Sequence, residues 1–401
     1  MDLARSQRLE ALPPYVYVEI HRRVAEARQA GRDVIDMGKG DPDLPTPPHV
    51  VEALLEAAQD PVNHRYPHGL ARGLPEFRSA ISAWYRRRFE TSVDPETEVL
   101  PLMGSKEGNL HFCMGVLNPG DLALIPDPAF PAYEAAAILS GAEVRKVPLL
   151  AENGFLIDFD SIPRSLAVRA RAIWISYPNN PTAAVASLEF YAQAVEFAHR
   201  TGTILVSDNP YADITFGGVA APSVLSVEGA KDVAVELNSL SKSYNMTGWR
   251  SGMAVGNPEV VGMIRSMKLN TDAGLFGAVQ RASIVALETP EHVLRAKMEV
   301  YRRRRDRVVA ALRRTGLAVT PPPGTFYVWA PLPSGVSSMD FFTRLLDETA
   351  VVAIPGIGYG RYGEGFVRFS LTIPDARLDE AMQRIESAGD SLLPGHPPRD
   401  G

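Results

Sequence analysis

The centre of this chain alternates short β-rich apolar runs with longer amphipathic ones, and that alternation restricts the fold more than any other feature. The runs are 99–103, 122–126, 143–147, 172–176, 204–207, 233–237 and 252–255. Helical patterns lie between several of them, among them Leu188–Thr201 and 110–117. Apolar strands separated by helices predict βαβ units and a largely parallel sheet with both faces covered. In such sheets ligands sit beyond the carboxyl ends of the strands. The loops just after the runs are therefore where chemistry is expected.

The rest of the chain bounds this reading. At 401 residues it exceeds what one ordinary core holds, which predicts two domains. Past the last run comes a long helical stretch, Glu291–Arg314, in which Arg302, Arg303, Arg304 and Arg305 read as a solvated helix face. The string PPPGTFYVWAP then gives a turn and a strand. A helix at 339–349, a strand at Phe366–Ser370 and a helix at 377–388 complete a smaller α+β unit. The proline-rich tail after Leu393 is expected to be disordered.

A formal charge of −6 argues against a nucleic-acid surface, where a basic face is needed. The single cysteine, Cys113, can form no internal disulfide and fits a reducing, cytoplasmic setting. The N-terminus MDLARSQRLEALPPYVYVEI lacks the uninterrupted apolar core of a secretory signal. No stretch approaches the ~20 apolar residues of a membrane span.

Five segments carry candidate chemistry, each with a plainer alternative. In SLSKSYNMTGWR (239–250), Ser239, Ser241 and Arg250 offer donors suited to a dianionic phosphate. Lys242 among them is either an ordinary loop lysine or an amine poised to condense with an aldehyde. Gly104-Ser105-Lys106-Glu107-Gly108 can form a tight turn and a helix-start anion site, or a simple Ser105 cap. Tyr177-Pro178-Asn179-Asn180-Pro181-Thr182 is a rigid loop presenting an amide, or an ordinary Asn-Pro turn. Asp208-Asn209-Pro210-Tyr211 puts a carboxylate at a strand's end, which calls for a cationic partner such as a protonated ring nitrogen, or caps a helix. Arg368, between apolar residues in Phe366–Ser370, needs an anion: a substrate carboxylate or an internal ion pair. No residue cluster predicts a metal site.

Taken together and in this order, the segments resemble the class I aminotransferases of the fold-type I pyridoxal-phosphate family. The resemblance runs from Leu12 to about Ala388. The strings LPPY, GDPDLPTPPH, NHRYP, GLPEFR, GSKEG, YPNNPT, SLSKSYNMTGWR, TFYVWAP and EGFVRFSLT point to the bacterial LL-diaminopimelate aminotransferases and their near relatives. It implies a large domain over 45–290 with a mostly parallel seven-stranded sheet. A small α+β domain would be formed by 291–401 together with 1–44.

The resemblance also implies pyridoxal 5'-phosphate as cofactor and a role for each matching residue. Lys242 would form the Schiff base and shuttle the proton. Asp208 would pair with the pyridine nitrogen, and Tyr211 and Asn180 with the ring hydroxyl. Ser105, Lys106, Ser239 and Arg250 would hold the phosphate, with Gly104 and Ser241 beside the cofactor. Phe130, in DPAFPAY, resembles the aromatic that stacks on the ring. Tyr66 resembles the tyrosine sent to the partner chain's phosphate in a homodimer with shared sites. Arg368 would take the substrate α-carboxylate, with Lys39, Gly40, Asn180 and Tyr15 also on the substrate side. The implied reaction is ping-pong exchange of an α-amino group between an L-amino acid and a 2-keto acid. The alternatives are a specialised-pathway aminotransferase for a non-standard or basic amino acid, a non-transaminating enzyme of the same fold and cofactor, and a cofactor-binding regulator. Four places depart from the family's usual pattern: Lys39, Ala183 where glycine is usual, Asn209-Pro210, and the weakly polar stretch 272–277.

Overall fold

The computed structural model describes residues 4–13, 16–66, 69 and 71–393; the tail predicted to be disordered lies outside them. A two-residue strand, β1 (Ile35–Asp36), precedes the large sheet. That sheet is formed by β2 (Val99–Leu102), β3 (Leu122–Asp127), β4 (Glu143–Pro148), β5 (Ala170–Ile175), β6 (Ile204–Asp208), β7 (Ala234–Ser239) and β8 (Gly252–Gly256). Its spatial order is β2-β8-β7-β6-β5-β3-β4. Only β8 runs against its neighbours, pairing antiparallel with both β2 and β7. All seven predicted runs are strands, displaced by no more than a few residues at their ends.

Burial on both faces explains why these strands read as continuous apolar runs. Along β5, Ala172 and Trp174 enter the core of one face, and Ile173 and Ile175 that of the other. Helices cover both faces, among them Ser105–Val116 on one and Leu188–Thr201 on the other. The first of these starts five residues before the predicted 110. Its opening turn is the polar Ser-Lys-Glu-Gly, which carries no apolar period.

A second core gathers Ile35 and Met37 with Tyr301, Val308, Phe326, Val328, Val367 and Phe369. Its strands are β9 (Tyr327–Pro331), β10 (Val351–Val352), β11 (Ile354–Pro355) and β12 (Phe366–Ser370). The order β11-β12-β9 is antiparallel, while β1 pairs in parallel with β10 and so ties the chain's beginning to its end. The predicted helices appear as Glu291–Arg314, Ser338–Thr349 and Asp375–Ala388.

One expectation fails here. Arg304 is buried rather than solvated. Its guanidinium binds both carboxylate oxygens of Asp43, at 2.7 and 3.0 Å, and Asp375 at 2.5 Å. Arg302 and Arg303 are exposed, as four consecutive helical positions cannot all face one way.

Candidate active site

At the carboxyl ends of the parallel strands lies a cavity of about 520 Å³. Asp208 ends β6, and Ser239 ends β7, which runs straight into a single helical turn, Leu240–Ser243, carrying Lys242. Ser239 caps that turn by accepting from the Ser241 N–H at 3.2 Å. Beyond β2, Gly104 has φ of 84°, and the helix starting at Ser105 points its free N–H groups toward the cavity edge. A Cβ at Gly104 would run into the Arg250 guanidinium. Arg250 itself sits at φ 56° and donates to the carbonyls of Thr247, at 2.8 Å, and Met103, at 3.3 Å.

Lys242 Nζ donates to the Gly40 carbonyl at 2.6 Å and lies 5.7 Å from the Phe326 ring centre. It makes no ion pair among the described residues. Burial pulls this amine down to about 8; Asp41 opposes the shift, and Arg368 and Arg250 reinforce it.

Asp208 is the complementary group. Its Oδ2 accepts from the Tyr133 hydroxyl at 2.6 Å, and its Oδ1 is buried with no partner. Burial raises this carboxyl to about 6, opposed by the hydrogen bond from Tyr133 and by the nearby Ser105.

The opposite wall is built around Arg368. Its guanidinium donates to Asn180 Oδ1 at 2.6 Å and to the Gly38 carbonyl at 2.7 Å. It also lies 3.9 Å from the Tyr327 ring centre and 4.9 Å from that of Tyr359. No carboxylate pairs with it among the described residues, so the internal ion pair is not what holds it. Its Nε is buried and unpartnered. A buried guanidinium without a counter-anion is costly, so this wall carries an unbalanced positive charge.

Of the residues singled out in the sequence, Lys39, Gly40, Ser105, Lys106, Phe130, Asn180, Asp208, Tyr211, Ser239, Ser241, Lys242, Arg250 and Arg368 all line the one cavity. Phe130 meets Tyr133 edge to face, with ring centres 5.7 Å apart. The Tyr211 hydroxyl is 3.1 Å from that of Tyr327. Lys39 is 64% exposed and 3.7 Å from Asp36. Tyr66 is 86% exposed and is not part of the lining. Tyr15 lies outside the described residues.

Three residues that no sequence motif singles out also line the cavity: Asp41, Tyr133 and Tyr327. Tyr133 closes a turn onto Phe130, its N–H donating to the Phe130 carbonyl at 3.2 Å, so a residue three positions past one already singled out belongs to the site. Tyr327 fits because residue 40 is glycine: a Cβ there would collide with its hydroxyl. At Ala183, where glycine is usual, the backbone keeps a left-handed φ of 61°, at about 1 kcal/mol of strain. Asp272 turns inward to Lys268 Nζ at 2.8 Å, so the stretch 272–277 begins with a buried ion pair.

Comparison with known proteins agrees with this geometry. A family model of the class I and II aminotransferases matches residues 32–385. An LL-diaminopimelate aminotransferase of Dehalococcoides mccartyi is 50% identical over 380 residues, 95% of this chain and 97% of that one. That of Aquifex aeolicus is 50% identical over 382 residues, 95% and 98% of the two chains. Among solved structures, substrate-bound BacF from Bacillus subtilis superposes with a TM-score of 0.91 at 36% identity, covering 97% and 98% of the chains. A probable N-succinyldiaminopimelate aminotransferase from Thermus thermophilus gives 0.87 at 37% identity, covering 93% and 100%.

Proposed function

Because the chain belongs to the class I and II aminotransferases, we propose that it holds pyridoxal 5'-phosphate in this cavity and takes LL-diaminopimelate as amino donor. It is an aminotransferase of fold-type I, moving an α-amino group between an L-amino acid and a 2-keto acid. The cofactor and the named donor are our reading. So are the roles of individual residues and the division of the chain into 1–44, 45–290 and 291–401.

One observation carries the reading of the cofactor: a buried amine without an ion-pair partner shares a cavity with a buried carboxylate that has one free oxygen. The residues fit pyridoxal phosphate group by group. Asp208 Oδ1 is the unpaired acceptor that a protonated ring nitrogen requires. The N–H groups at the Ser105 helix start suit a phosphate, as do Lys106, Ser239, Ser241 and Arg250. Phe130 offers a ring face, and Tyr211 and Asn180 offer polar groups for the ring hydroxyl. When bound, the cofactor supplies the electron sink that acidifies the substrate α-hydrogen.

The protein's share follows from its own groups. Asp208 holds the ring proton in place. Arg368 takes the α-carboxylate by its planar fork, orienting the α-hydrogen. Lys242 Nζ, held near 8 by burial, is partly neutral at neutral pH and can accept that proton and return it. The donor is assigned from the relatives' 50% identity over nearly the whole chain. We further propose that two chains complete each site. Tyr66, like Val62 and Phe276, is exposed, and it would reach the partner's phosphate.

The test has two parts. Borohydride reduction followed by peptide mapping should place the pyridoxyl group on Lys242, and an adduct on Lys106 would refute the assignment. With 2-oxoglutarate as acceptor, LL-diaminopimelate should give the highest kcat/KM among alanine, aspartate and the basic amino acids. Preference for any of the others would overturn the substrate while leaving the cofactor reading intact.

A further inference from the structure

Helix Glu291–Arg314 presents Lys297, Tyr301 and Arg304 at spacings of four and three, a single face two turns long. All three residues act on the surroundings of Lys242. Lys297 Nζ donates to the backbone carbonyl of Lys242 at 3.1 Å and to that of Ser243. It therefore holds the open carbonyl end of the turn that carries Lys242, where a cation is favoured. Tyr301 is fully buried against Phe326, ring centres 5.6 Å apart, and the Phe326 ring in turn faces Lys242 Nζ. Arg304 grips Asp43, in the segment whose Gly40 carbonyl receives the Lys242 amine. One helix face thus holds both the root of the Lys242 side chain and the acceptor at its tip.

Lys297 makes no ion pair among the described residues. Its nearest electrostatic support is Asp213, which is itself bonded to Arg88 at 2.8 Å. Burying an ammonium group without a carboxylate is unfavourable, and a lysine whose amine is enclosed to no purpose would be better replaced by methionine. What this lysine does is saturate two main-chain carbonyls that no helix continues to bond.

We propose that Lys297 is a positioning residue for Lys242: it clamps the Lys242 turn to the long helix and keeps the amine at its depth in the cavity. The inference rests on Lys242 being the amine that bonds the cofactor.

The experiment is competitive acetylation of Lys242 in cofactor-free protein across pH, mapped by mass spectrometry, together with steady-state kinetics on the loaded enzyme. In Lys297→Met the freed turn should let the amine reach water. Its apparent pKa should then rise from about 8 by about one unit toward the ordinary lysine value. With LL-diaminopimelate and 2-oxoglutarate, kcat should fall on the order of tenfold while KM stays within about twofold. Lys297→Arg keeps the donors and should restore both readouts in part. Unchanged titration and kcat in Lys297→Met would overturn the proposal, even with a lower melting temperature. If that variant yields no folded protein, Lys297→Gln decides by the same criteria. The borohydride adduct in wild-type protein separates the two levels. An adduct elsewhere defeats the Lys242 assignment, whereas an adduct on Lys242 with unchanged variant readouts defeats only the role of Lys297.

Discussion

The two walls of the cavity are built in different ways. Asp208, Ser239, Ser241 and Lys242 stand at, or within a few residues of, the ends of β6 and β7, adjacent central strands of the large sheet. Strand pairing fixes Asp208 and Ser239, so shifting either means unravelling a buried ladder, and the turn carrying Ser241 and Lys242 continues directly from the end of β7. The facing wall draws Tyr17, Lys39 and Gly40 from the chain's start and Tyr327 and Arg368 from its end. The bond from Arg368 to Gly38 spans 330 residues. Polar clamps hold this wall, Arg368 on Gly38 and Asn180, and Arg304 on Asp43. The first wall is set by the sheet and suits invariant chemistry. The second is an assembly of distant pieces and can be retuned without touching the sheet. Substitutions on the first wall should therefore strike kcat, and those on the second should strike KM.

The largest effect is expected at Asp208. Asp208→Asn keeps the shape and removes the charge that the proposed cofactor's ring nitrogen would meet, so kcat should fall on the order of 10²-fold or more while cofactor content persists. A rate near that of wild type would erase the distinction between the walls. A second readout needs no cofactor. Burial lifts the Asp208 carboxyl to about 6, above its unfolded value of about 3.9. A raised acid pKa favours the folded state at low pH, and that contribution is lost as pH rises through about 6. Cofactor-free wild-type protein should therefore lose stability relative to Asp208→Asn between about pH 4 and 7, as measured by denaturant midpoints. Parallel pH profiles for the two proteins would show that Asp208 is not held in a charge-averse site.

Next in size is Arg368→Lys. The ammonium keeps the charge but loses the fork and the stacking on Tyr327. The expected loss in kcat/KM is about 2 kcal/mol, roughly 30-fold, carried by KM and shared by every donor and keto acid. A drop in kcat alone, with KM unchanged, would move Arg368 to the catalytic side of the comparison.

The same division marks what was legible in the sequence. The seven strands were readable because a strand buried on both faces is an unbroken apolar run. Their ends were less so, since Asp208 and Ser239 are polar residues that still pair within β6 and β7. The first wall was readable for the same reason: its groups follow those runs directly. The second wall was legible only in part: Arg368, Lys39 and Gly40 stood out, but what brings them together did not. β1, β10 and β11 have two residues each, too few to show any period. Arg304 looked like its exposed neighbours, because its partners Asp43 and Asp375 are far away in sequence. Tyr133 and Tyr327 stood in recognised strings, but a hydroxyl's partner is a tertiary fact. Lys297 had no motif at all, since what it binds is backbone.

The smallest effect, and the sharpest probe of the second wall, is Lys39. It lines the cavity mouth, where its charge can meet a distal carboxylate, yet its side chain is 64% exposed and Asp36 already sits 3.7 Å away. Both facts weaken it: water screens the charge, and Asp36 competes for it. An exposed ion pair of this kind contributes about 0.5 kcal/mol, roughly twofold in KM. Lys39→Ala should therefore raise KM about twofold for LL-diaminopimelate and 2-oxoglutarate, whose second carboxylates lie far from the reacting carbon. It should leave alanine and pyruvate unchanged, because neither carries a distal charge. The backbone of residue 39 offers no competing explanation, since its carbonyl accepts from Thr372 whatever the side chain is. An equal change in both substrate classes would mean that Lys39 only shapes the 38–43 segment, and no change in either would mean that its charge stays with Asp36. In both cases the recognition of a second carboxylate would pass to the helix Val16–Gln29, whose Tyr17 and His21 face the same cavity.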